Sequence, residues 1–106
     1  MQKILLISDS GVATGYGRIA DSVGTRLMQR GLHIFAASFA YDGLLPPMFD
    51  GKPLPYHVAT LAIKRQMGNW VEDVVKLVGA VNPDVVLVVQ DAPYAEAVWN
   101  GINSDG

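Results

Sequence analysis

Cysteine is absent from the 106 residues. That excludes a disulfide framework and thiolate metal sites, and it matches cytosolic usage, so a cytoplasmic location is expected. Charge is sparse: Asp, Glu, Lys and Arg make up 17% of the chain, with a net charge of -2. Lys and Arg are scattered, which leaves no basic footprint for nucleic acid or an anionic membrane. No apolar run approaches the roughly 20 residues that span a bilayer. The opening MQKILLISDS has one Lys and a short apolar run, too brief for a signal peptide. The two His and the scattered carboxylates show no metal-ligand spacing such as H-E-x-x-H, so no metal site is expected. No carboxylate pair is spaced for glycoside hydrolysis, and no G-x-S-x-G is present. Internal repeats and low-complexity tracts are missing too.

What is present is apolar. Half the residues are hydrophobic, enough to fill the core of one domain or of part of a larger one. Residues 4–8 form a short continuous run rich in branched side chains and followed by Asp9 and Ser10. This predicts a strand buried on both faces, as in a parallel sheet. Ile19, Val23 and Leu27, with Ala20 and Met28 beside them, predict an amphipathic helix. Asp21, Ser22, Thr25, Arg26, Gln29 and Arg30 would take its outer side. Thr14 would cap this helix and Gly31 end it. Residues 32–40 (LHIFAASFA) predict a second strand.

Residues 41–55 (YDGLLPPMFDGKPLP) hold four of the six prolines and predict a long irregular connection. Residues 56–63 predict a third, shorter strand. Asn69 and Glu72 are spaced as a helix cap for a strongly apolar, well-buried helix that Asn82-Pro83 stops. Residues 84–90 (DVVLVVQ) are the clearest strand, and residues 94–99 begin another helix. The order predicts an α/β fold: a Rossmann-like, doubly wound, mainly parallel sheet of about four strands. In such sheets ligands sit outside the carboxyl ends of the strands, where residues 9–17, Tyr41 with Asp42, and residues 90–94 should gather.

The stretch ISDSGVATGYGRIA puts Gly11, Gly15 and Gly17 at the mouth of the first helix. It is not a Walker A loop, because Gly11 and Gly15 are one residue too close and no Lys follows. Gly15, Gly17 and Ala20 match G-x-G-x-x-A. However, Gly15 lies six positions past Asp9 rather than directly after the strand, and Asp42 is too distant to serve as the ribose-binding acid. A third option needs no strict motif. A helix N-terminus offers free N–H groups, glycines let a phosphate or sugar hydroxyl approach the backbone, and Arg18 adds a bidentate charge. The competing reading is structural: Gly11 and Gly15 turn the chain, while Gly17 and Gly24 allow tight helix packing. For Gly24 the packing reading is favoured.

KILLISDS, TGYGR, a helix ending in RG, then YDG and NPDVVLVVQD resemble in order and spacing the start of GT-B-type glycosyltransferases of the retaining family 4 group. The resemblance covers most of the chain. It implies an acceptor-side N-terminal domain whose first βα loop borders the donor diphosphate. By resemblance, residues 1–106 would be a partial N-terminal Rossmann-like domain, cut short and lacking the C-terminal domain that binds the nucleotide-sugar. The whole enzyme would transfer a sugar with retention and need no metal or redox cofactor. Thr14, Gly15, Tyr16, Gly17 and Arg18 would carry over as the Gly-rich loop, and Asp91 as the cleft-facing residue after the fourth strand. His57 takes no role.

Each candidate has a local alternative. Asp9 and Ser10 either contact substrate or cap nearby backbone; Asp91 either orients an acceptor hydroxyl or caps the following helix. Trp70 and Trp99 read as core or domain contacts. The functional alternative is a standalone Rossmann-like module that holds a nucleotide or phosphorylated ligand without catalysis. As a fragment of an enzyme, the chain would transfer no sugar by itself and would self-associate through an exposed sheet edge.

Overall fold

Alternate residues of the run at 4–7 feed two separate cores, because successive side chains of a strand point to opposite faces. Leu5 and Ile7 pack with Ala37, Phe39, Leu61, Trp70, Val74 and Val98. Ile4 and Leu6 pack with Ala20, Ile34, Ala36, Tyr56 and Val58. The computed structural model describes residues 2–11, 15–39, 41, 43, 46–61 and 70–104. Its elements are β1 (Lys3–Ser8), α1 (Gly15–Gln29), β2 (His33–Ser38), β3 (Met48–Phe49), β4 (Lys52–Pro53), β5 (Val58–Thr60), α2 (Trp70–Val81), β6 (Val85–Val88) and α3 (Ala92–Ser104).

The main sheet has the order β5-β2-β1-β6. Every pairing in it is parallel, with Ser8 opposite Ser38 and Ile7 opposite Val88 at the carboxyl ends. The core memberships place α1 on one face and α2 with α3 on the other. This is the Rossmann-like, doubly wound α/β fold that the sequence predicts.

Local chemistry sets the ends of the helices. Past α1, the Leu32 N–H donates to the Leu27 carbonyl and the Gly31 N–H to that of Met28, with Gly31 at φ 90°. That is a Schellman motif. Asn82 takes φ 52° after α2, and Pro83 prevents continuation. The cap expected at Asn69 lies outside the described residues.

Three expectations need correction. The connection after β2 is not wholly irregular, since β3 and β4 form an antiparallel hairpin. Asp50 and Gly51 both have positive φ, the two-residue turn that matches strand twist. In α1, Ile19 is 57% exposed and Val23 is also exposed, while Gly17, Ala20, Asp21 and Gly24 are buried. The helix is rotated because this small stripe approaches the sheet more closely than branched side chains allow, and because Asp21 finds partners inside. The helix expected to be well buried, α2, buries only Trp70 and Val74, and the exposure of Trp99, 68%, excludes the core reading and leaves the domain-contact one. Among the described residues no helix is long and apolar enough to cross a membrane.

Candidate functional site

The strand order creates a crevice. After β1 the chain adds β2 and β5 on one side, then crosses back to place β6 on the other. The segments leaving β1 and β6 lead to helices on opposite faces, α1 and α3. They therefore diverge at the carboxyl ends of two neighbouring strands. Such a switch point is where open α/β sheets receive ligands.

Two side-chain bonds bridge this crevice. Gln90 donates through Nε2 to Asp9 Oδ1 at 2.6 Å. The Tyr16 hydroxyl donates to Asp91 Oδ1 at 2.5 Å. Tyr16 stands in the first turn of α1, and Asp91 directly precedes α3. The Asp91 main-chain carbonyl accepts from the N–H groups of Tyr94 and Ala95 and so opens the helix. Its carboxylate is turned to Tyr16. The bond to Asp91 is the main cause that lifts the Tyr16 phenol above its ordinary range; the Asp91 charge, desolvation and the Asp9 charge add to it.

Gly15, Tyr16 and Arg18 are exposed at the start of α1, and Gly17 is buried. A Cβ at Gly15 would meet nothing within 4 Å. Neither packing nor a positive φ accounts for glycine there. Thr14 and Asp42 lie outside the described residues. On the α2 and α3 side, Phe39, Trp70 and Tyr94 form a cluster with ring centroids 5.0 to 5.7 Å apart. Tyr94, half-buried, is its outermost ring.

Beneath the crevice the polar groups are buried. Ser8 and Ser10 are fully buried with hydroxyls 2.8 Å apart, and the Ser10 N–H donates to Ser8 Oγ. Asp21 Oδ2 accepts the Gly11 N–H at 2.8 Å, and Asp21 Oδ1 accepts the Tyr56 hydroxyl at 2.6 Å. Burial first, then the bond to Asp21, pushes the Tyr56 phenol far above its ordinary range.

The structure thus brings Asp9, Tyr16 and Asp91 to one crevice and sets Ser10 in the layer below, while Arg18 is exposed in the first turn of α1. Sequence reasoning named Asp9, Tyr16 and Asp91 and placed residues 90–94 at the same edge, but did not say who pairs with whom, because register alone decides that. It missed Asp21 and Tyr56 altogether. Among the described residues no group of three or more His, Asp or Glu is placed to hold a metal ion. Compared with models of known protein families, with curated proteins and with solved structures, the chain matches none.

Proposed function

We propose that this chain is the acceptor-side domain of a retaining glycosyltransferase of the GT-B type, a cytoplasmic enzyme that takes its sugar from a nucleoside diphosphate donor. The observation that carries the reading is the pairing of Tyr16 with Asp91 across the switch-point crevice. It joins the Gly-rich loop and the post-strand carboxylate, the two places where the sequence resembles that family.

The chemistry at the crevice favours a hydroxylated ligand over a phosphorylated one. Asp9 and Asp91 would repel a phosphate, whereas carboxylate, amide and phenol together suit sugar hydroxyls. A carboxylate has about four lone-pair sites, and Tyr16 occupies one at Asp91. Asp91 is thus able to accept and orient an acceptor hydroxyl. The opposite rim, with exposed Gly15 and Arg18 at the positive end of α1, suits the donor diphosphate. Stabilising that departing diphosphate is electrostatic work, shared with a nucleotide-sugar domain outside these residues. Alone, the chain transfers no sugar, and the edge strand β6 supports self-association.

An NMR titration of the labelled chain tests this reading, with methyl α-glucoside and with inorganic phosphate at millimolar concentration. Shifts at Tyr16, Gln90 and Asp91 with the glucoside support it. Shifts with phosphate alone favour the non-catalytic phosphate-binding module.

A further inference from the structure

Asp21 is 1% exposed, yet it lies on a helix face otherwise made of small residues. A buried carboxylate is costly unless hydrogen-bonded, so its partners explain its place. One is the N–H of Gly11, in the segment that leaves β1 for the crevice. The other is the hydroxyl of Tyr56, just ahead of β5 at the end of the Pro-rich connection. Room for the Tyr56 phenol exists because position 24 has no side chain: a Cβ there would stand 2.8 Å from the Tyr56 oxygen. Position 11 requires glycine, since at φ 83° a Cβ would stand 2.8 Å from that of Pro47.

We propose that Asp21 is a positioning residue: anchored by Tyr56, its carboxylate fixes the Gly11 amide and so holds the exit of β1 in place before any ligand arrives. The latch ties three parts of the chain, the β1 exit, the second turn of α1 and the end of the Pro-rich connection. A charged acceptor serves better here than an apolar side chain of similar size, because bonds to ionised groups are the stronger ones. The relevance of the loop to a sugar ligand rests on the function proposed above. The latch itself does not, and its test contains no ligand.

The test is amide hydrogen exchange by NMR on the unmodified chain, Tyr56→Phe and Asp21→Asn. Tyr56→Phe keeps the buried ring and removes one bond, so the chain still folds. Asp21→Asn keeps one oxygen acceptor. In both variants the Gly11 amide should exchange faster by roughly tenfold or more relative to the amides of Leu6 and Ala36 in the same protein. The amide proton resonance of Gly11 should also lose the downfield position that a carboxylate acceptor gives. If the pair serves stability alone, loop and sheet amides accelerate by one common factor and the Gly11 resonance stays in place. That result overturns the proposal.

Discussion

The Tyr16 hydroxyl and Asp91 Oδ1 lie 2.5 Å apart although 75 residues separate them in the chain. One residue belongs to the first turn of the first helix, the other to the step before the last. Because Asp91 accepts this proton, Tyr16 holds it to higher pH than a free phenol. Besides Tyr56, a spectroscopic titration should find a tyrosine above the ordinary value of about 10, and that one should move back toward it in Asp91→Asn. An unchanged titration would mean that the pair does not persist in solution.

Tyr56 gives a pH dependence of stability. Its folded-state pKa is raised, so at alkaline pH the unfolded chain binds fewer protons than the folded one. The Tyr56 contribution is fully present below about pH 10, where the unfolded phenol ionises, and declines as pH rises further. Denaturant melts between neutral and strongly alkaline pH should show this decline. Tyr56→Phe should be less stable at neutral pH and have a shallower alkaline slope.

Glycines of two kinds should respond differently to alanine. At Gly79 in α2 an added Cβ meets nothing within 4 Å, so Gly79→Ala should gain about 0.5–1 kcal/mol from helix propensity. At Gly24 and Gly101 the added carbon would stand 2.8 Å from the Tyr56 oxygen and 2.5 Å from Val71 Cγ1. Overpacking of roughly 1–3 kcal/mol should exceed the propensity gain, and both variants should melt lower. Thermal melts of the three side by side decide the matter.

Gly15→Ala separates function from fold. Its open surroundings leave stability unchanged or slightly raised. If bare backbone at the head of α1 admits a ligand, glucoside-induced shifts at Tyr16 and Asp91 should weaken by tenfold or more, the loss of about 1.4 kcal/mol of binding. Equal affinity in wild type and variant would leave Gly15 without a binding role.

Edge strand β6 runs from Val85 to Val88 without Lys, Pro or a charged residue, the usual protections of an edge. Val85 is 46% exposed. Light scattering should detect association at high concentration. Val85→Lys should suppress it while leaving the melting temperature nearly unchanged.

The sheet was legible because its strands are continuous apolar runs bounded by polar or Gly-containing stops, and parallel order follows from their alternation with helices. The orientation of α1 was not. Gly17, Ala20, Asp21 and Gly24 share one helical face by spacing, as do the branched residues Ile19 and Val23, and hydrophobicity alone favours the wrong stripe. The close approach that small residues allow and the partners of Asp21, Gly11 and Tyr56, decide between them. The hairpin had a readable signal in Asp50-Gly51, obscured by the surrounding prolines. At the crevice, residue types were readable and pairings were not, since Gln90 meets Asp9 and Asp91 meets Tyr16 only after β6 docks beside β1.

The central position of β1 also orders events during synthesis. Its β2 neighbour follows after one helix, so β1, α1 and β2 can assemble as the chain emerges. Its β6 neighbour comes far later: Lys3, whose amide bonds the Asp84 carboxylate, is 81 residues from it. Until β6 arrives, one apolar edge of β1 stays open to chaperones and to wrong partners, and closing that long separation slows folding. The crevice therefore cannot form before residues 85–91 have emerged, and a nascent chain that has folded only β1, α1 and β2 cannot yet bind there.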